Sequence, residues 1–319
     1  MSLNRRTEDV GAVVVRGGRI VDPSQGIDQI GDLVLEGGKV VGIDVTAPDN
    51  AEVIDASDRI VSPGIVDMNV QLREPGFEED ETIATGTAAA VAGGITTVAC
   101  MPNTDPPVDT QASVEFIQLQ AERSGNCNVA VIACVSKDRA GEQLAEMGSL
   151  KNSGAVAFSD ATRPIHNTGL MRRALQYSRM FDCPILSHPE IRELTKDGIM
   201  HDGLTSAVLG LGGFPSEAED VMVSRDIRLA EATGSRVHIM NLSTMGAVGL
   251  IRRAKQRDIN VTCEITATHF STTDEMMRSF NTNCKLNPPM RSQAHVDACI
   301  EGLKDGTIDV IVSGHAPRS

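Results

Sequence analysis

The chain has 319 residues, 41% hydrophobic and 3% aromatic, with 29 Lys and Arg against 43 Asp and Glu for a formal charge of −14. At about 150 residues per domain this length fits two domains, or one large α/β barrel with an appendage, and the apolar content fills a core, which excludes a disordered chain. The acidic balance repels phosphate backbones and anionic lipid, and one Tyr with no Trp leaves little for base stacking, so nucleic-acid and membrane roles are set aside.

The opening MSLNRRTEDVG carries no apolar signal core. The most apolar long stretch, Ala88 to Met101, is interrupted by Gly93, Gly94, Thr96 and Thr97 and is too short for a membrane span. A cytoplasmic protein is therefore expected. From Ala12 to Val61 the segments AVVVRGGRI, DLVLEGGKVVGI and AEVIDASDRIV read as short strands, with hairpin turns expected at Gly17-Gly18 and Gly37-Gly38. Residues 1–62 are thus expected to form a small β domain.

After Pro63-Gly64 the pattern becomes apolar runs alternating with helical spacing. The runs cover 64–71, 95–101, 128–135, 154–159, 184–188, 236–243, 259–265 and 308–315. Between them lie segments such as SVEFIQLQAERSG, LMRRALQYSRM, SEAEDVMVSRDIRLAEATG and AVGLIRRAKQR, whose apolar residues recur at helical spacing. Eight apolar strands, most followed by a helix, predict an α/β fold of the (β/α)₈ barrel type over residues 63–319, with an open doubly wound sheet as the alternative. The glycines at 210–213 follow the fifth strand and read as loop punctuation, since dinucleotide and Walker spacings are absent. The sequence reaches Ser319 four residues past the eighth strand, leaving no room for a final helix. The seven cysteines are scattered, never in a C-x-x-C pair, and several sit in apolar runs, so buried thiols are expected.

A barrel of this kind carries its active site at the C-terminal strand ends. The polar residues there are Asn69 and Gln71, Asn103, Asp160, His188, Asn241, and Gly314 with His315. Singly each reads as a turn or a cap. In order, PGIVDMNVQLREPGFE, MPNTDPPVD, GAVAFSD, SHPE, VHIMNLST, CKLNPPMR and SGHAP resemble the motifs of type I dihydroorotases in the amidohydrolase superfamily. The resemblance runs from about Val13 to the last residue. It implies a (β/α)₈ barrel with a small β domain built from both chain termini, and hydrolysis or closure of the cyclic amide of L-dihydroorotate in pyrimidine biosynthesis with one or two zinc ions. It also implies that the final barrel helix and the strands completing the β domain lie beyond Ser319.

The departures fall on the family's metal positions. Its first-strand histidines are matched by Asn69 and Gln71, its sixth-strand ligand by Asn241, and its eighth-strand Asp, both ligand and general base, by Gly314. Asp160 and His188 remain. Catalytic zinc takes three protein ligands and an open position, and neutral amides serve a borderline-soft ion poorly. Without the ion, water keeps a pKa near ~15.7 instead of about 7. Zinc is therefore expected to be absent or weakly held. The family's substrate-anchoring positions are matched by Arg73, Asn103, Asn287 and His315, which together imply a retained anion pocket; an Arg73 salt bridge to Glu74 or Glu78 is the bland alternative.

Of the other histidines, His238 is three residues before Asn241 and expected on the opposite face, packed or behind the site. His269 and His315 could combine with Asp160 and His188 in a different metal site, while His166, His201 and His295 read as surface residues. The resemblance implies a dihydroorotase-like protein that has lost catalysis and acts as a structural or regulatory partner of aspartate transcarbamoylase, self-associating as barrels of this size do. An active cyclic amidohydrolase with an atypical metal set is the alternative. A metal-free binder of a small anionic pyrimidine precursor is a third.

Overall fold

The computed structural model describes residues 11–318. Ser319 and the opening residues 1–10, to which the expectation of no leader applies, lie outside them. The described chain divides into two compact units, one running through Val66 and taking in Gly93–Thr97, the other made of Asp67–Ala92 and Val98 onward.

The first unit is a five-stranded sheet. β1 (Val13–Asp22) pairs antiparallel with β2 (Ile27–Glu36), which pairs with β3 (Lys39–Ile43), while β4 (Glu52–Asp55) and β5 (Ile60–Val61) lie parallel to β1. The expected turn at Gly37-Gly38 is present, with both residues at positive φ between β2 and β3. Gly17-Gly18 is no turn. It lies inside β1, where the register with β2 slips between Val15 and Gly18, and the chain reverses later, after Asp22. Two requirements explain these glycines: Gly17 adopts φ +69° and gives its N–H to Asp32 Oδ1 at 2.8 Å, and a Cβ on Gly18 would come within 2.5 Å of Val61 Cγ2. Glycine inside a strand marks a bulge or a close approach as readily as a hairpin.

The second unit is built on β6 (Ile65–Val70), β7 (Ile95–Cys100), β8 (Asn128–Ala133), β9 (Ala157–Ser159), β10 (Ile185–Ser187), then, past a short parallel pair β11 (Met200–His201) and β12 (Gly213–Phe214), β13 (Val237–Ile239), β14 (Val261–Thr266) and β15 (Val310–Val312). The eight long-range strands lie side by side in chain order from β6 to β15. A parallel bridge between Val70 and His315, with the Gln71 N–H donating to His315 O at 2.9 Å, joins the first strand to the last. That closure excludes the open sheet.

Helices α1 (Ile83–Ala92), α2 (Gln111–Ser124), α3 (Met147–Asn152), α4 (Thr168–Arg179), α5 (Arg192–Thr195), α6 (Leu204–Leu209), α7 (Glu217–Thr233), α8 (Met245–Lys255), α9 (Ala267–Ser271) and α10 (Gln293–Lys304) occupy the connections. α7 buries Met222, Val223, Ile227 and Ala230 and packs against α4 and α8; α8 buries Ala247, Val248, Ile251 and Ala254. These spacings of three and four put one stripe of each helix inward. Ala99, Met101, Ile132, Ala157, Ala161, Leu186 and Met240 form one buried apolar cluster. Small residues alternate there with long ones, as a closed parallel barrel requires. All seven cysteines are free, five of them buried, and burial pushes the Cys100, Cys263 and Cys299 thiols up to about 12. Among the described residues no helix is long and apolar enough to cross a membrane.

Candidate active site at the barrel mouth

The strand ends place Asn69, Asp160, His188 and Asn241 in the second unit, all but Asn241 almost wholly buried. Their partners lie on neighbouring strands. Asn69, on β6, donates from Nδ2 to Glu264 Oε1 at 2.7 Å and to Asn241 Oδ1 at 3.0 Å. Glu264, fully buried on β14, meets His238 Nε2 through its other oxygen at 3.1 Å, and His238 Nδ1 contacts Thr262 Oγ1 at 2.8 Å. His238 is thus packed but not turned away from Asn241. β13 ends at Ile239 and Asn241 sits beyond it at φ +48°, so strand alternation does not extend to that residue.

Asp160 follows β9 and is held by three donors: the N–H groups of Val135 and Ser136 at 2.9 and 3.0 Å, and the Ser136 hydroxyl. Burial raises its pKa, against the pull of those hydrogen bonds. His188 contacts Glu190 Oε2 through Nε2 at 3.2 Å, while its buried Nδ1 has no partner among the described residues. Glu190 also accepts from Thr195 Oγ1 at 2.5 Å and Asn287 Nδ2 at 3.2 Å. Burial works to raise its pKa, but the bonds from His188, Thr195 and Asn287 outweigh burial and hold it at about 2.

The donor set does not suit zinc. Catalytic zinc needs three imidazole, thiolate or carboxylate ligands, and among the described residues no group of three His, Cys, Asp or Glu is placed to hold an ion. The orientation of Asn69 adds a positive reason: only its NH₂ end can face the Glu264 carboxylate, so a donor stands beside the amide where a cation needs lone pairs. Gly314, at φ +63°, brings no side chain. The combined site considered for Asp160, His188, His269 and His315 does not form, because His269 is packed between Thr266 Oγ1 at 2.6 Å and Pro288 O at 2.9 Å, and His315 pairs with Glu81.

The four anchoring positions also have internal partners. Arg73 donates from Nε to Pro317 O at 3.0 Å, Asn103 from Nδ2 to Gln71 Oε1 at 2.8 Å, Asn287 to Glu190, and His315 meets Glu81. Among the described residues no hydrogen bond or ion pair joins any two of the four. Arg73 makes no salt bridge to Glu74, which instead caps α1 through the Ile83 N–H at 2.8 Å, nor to Glu78, which accepts from the Gly76 N–H. Its Nη2 is buried without a partner among the described residues, and burial, helped by Arg318, lowers its pKa.

Glu264, Glu190 and Glu81 were not singled out by sequence. The signals existed: a lone carboxylate in the apolar run VTCEIT, and one two residues after His188. His201 and His295 are corrected from surface to interior. They are buried, with ring centroids 5.1 Å apart, beside the fully buried Arg291. His166 is exposed as expected.

The Dihydro-orotase-like family model matches residues 58–246. The dihydroorotase of Pelotomaculum thermopropionicum is 50% identical over 309 residues, covering 96% of this chain and 72% of that protein. The chain belongs to the dihydroorotase family. The dihydroorotase of Pelobacter propionicus is 48% identical over 308 residues, covering 96% of this chain and 73% of the relative. Among solved structures, the L-hydantoinase (dihydropyrimidinase) of Arthrobacter aurescens superposes with a TM-score of 0.84 at 23% identity, over 97% of this chain and 70% of that one. A D-hydantoinase of Bacillus sp. AR9 gives 0.79 at 22%, over 96% and 69%. The structural likenesses show the barrel fold, and membership of the dihydroorotase family supports a role in pyrimidine biosynthesis.

Proposed function

We propose that this dihydroorotase-family chain has lost metal-assisted hydrolysis of L-dihydroorotate and acts in the cytoplasm as a structural or regulatory partner of aspartate transcarbamoylase, itself assembling as a homo-oligomer. The observation that carries this reading is the Asn69 amide bonded to Glu264 and Asn241. A hydrogen-bonded cluster of Asn69, Asn241 and Glu264 stands where two of the family's metal positions fall, and these side chains find partners without an ion. Gly314 leaves no side chain at the family's general-base position.

One observation favours a second reading, a cyclic amidohydrolase using an atypical metal set or a binder of an anionic pyrimidine precursor. The buried, unpartnered Arg73 Nη2 and His188 Nδ1 are the groups a ligand or ion would satisfy. Elemental analysis of purified protein, combined with an L-dihydroorotate turnover assay, separates the readings. The proposal expects substoichiometric zinc, turnover at the buffer rate, and co-elution with aspartate transcarbamoylase. Zinc at one equivalent with measurable turnover would overturn it. Replacing Asn69, Gln71 and Asn241 by His together with Gly314→Asp is expected to raise zinc content, since His and Asp tolerate the left-handed backbone at 241 and 314 better than most residues.

A further inference from the structure

A cavity of about 270 Å³ lies among the segment from Glu190 to Ile199, Phe214, and the turn of Lys285, Leu286 and Asn287. Three of its lining residues are cations, Arg192, Lys196 and Lys285, and among the described residues none of their charged ends has an ion-pair or hydrogen-bond partner.

Among the described residues the one acid in that lining, Glu190, offsets one of the three positive charges, and the lining keeps a net positive balance. Ile199, Phe214 and Leu286 give the lining an apolar part, beside Thr195, Gly198 and Asn287. One side of the cavity can therefore receive negative charge and the other a flat or aliphatic body. Its volume of about 270 Å³ falls just below the usual range for ligand pockets, roughly 300–1,000 Å³, which suits a molecule no larger than a single-ring metabolite.

We propose that this cavity binds a small organic anion of at least two negative charges, a phosphate monoester or a dicarboxylate, with its charged end on Arg192, Lys196 and Lys285 and its body against Phe214, Ile199 and Leu286. The site does not depend on whether the barrel mouth hydrolyses anything. The molecule's own acidic field opposes entry of an anion, so binding rests on these local contacts and weakens as salt screens them.

Titration calorimetry on the full chain at low ionic strength tests this with phenyl phosphate, phthalate and, as a neutral control, benzyl alcohol. Saturable binding of either anion but not of the alcohol supports the proposal, and which anion binds assigns the charged end as phosphoryl or dicarboxylate. Both lysines are exposed, so the double variant Lys196→Gln/Lys285→Gln is expected to fold normally and to weaken binding about tenfold, the loss of two partly exposed charge contacts. No saturable heat at millimolar probe, or undiminished binding in that variant, overturns the site. Binding lost in Arg73→Gln but kept in the double-lysine variant would place the anion in the barrel mouth and overturn it equally.

Discussion

His201 and His295 show how single buried side chains set a pH dependence. His295 accepts the Met245 N–H on Nδ1 at 2.9 Å, and His201 Nδ1 faces Arg291 Nη1 at 3.4 Å, so both rings must be neutral to keep these partners. Burial, then Arg291 for His201 and His201 for His295, lowers each pKa to about 4. The sign follows from linkage: between the ordinary value of 6.5 and about 4 the unfolded chain binds more protons than the folded one. Stability is then complete above pH 6.5 and falls as pH drops through this window. His295→Gln is expected to reduce the slope of unfolding free energy against pH there by about one proton, measured by urea denaturation at stepped pH. An unchanged slope would mean that His295 already titrates normally. This pair also marks a limit of sequence reading. His201 follows Met200 in a polar stretch and His295 opens α10, and nothing local in either position signals that the two rings meet across 94 residues.

At the scale of elements, capping and glycine chemistry carry most of the legible information. Thr110 begins α2 with a reciprocal box, its hydroxyl accepting the Ser113 N–H at 3.2 Å while Ser113 Oγ accepts the Thr110 N–H at 3.2 Å. Thr110→Ala is expected to cost about 1 kcal/mol, read as a shift in denaturation midpoint at unchanged slope; no shift would show that Ser113 alone satisfies the helix start. The long helices α2, α4, α7 and α8 were readable because their apolar spacing coincides with the packed face. Gly17-Gly18 was misread because a hairpin and a bulge use the same residue for the same backbone freedom, and only pairing with β2 and β5 separates them.

For the whole molecule, the proposed loss of the metal centre has a thermodynamic consequence, since the hydrogen bonds among Asn69, Asn241 and Glu264 need no ion to form. Anything bound to the folded state alone raises stability by mass action, so removal of a bound metal lowers the melting temperature. Exhaustive chelation is accordingly expected to leave thermal unfolding of this protein unchanged; a drop of several degrees would reveal a metal-stabilised fold and contradict the proposed loss of the centre. The residue order by itself determined the eight-stranded barrel, the small β sheet before it, the family, and the absence of four expected ligand types, because strand and helix periodicities and motif order are local properties of the chain. Tertiary structure alone decided what the remaining polar groups do. Asn69 finds Glu264 195 residues away, Asn287 finds Glu190 97 residues away, and His315 finds Glu81 across the closure of the barrel. Such partners are chosen by which strands and loops become neighbours in space, and a buried donor or acceptor must be matched wherever that closure leaves it.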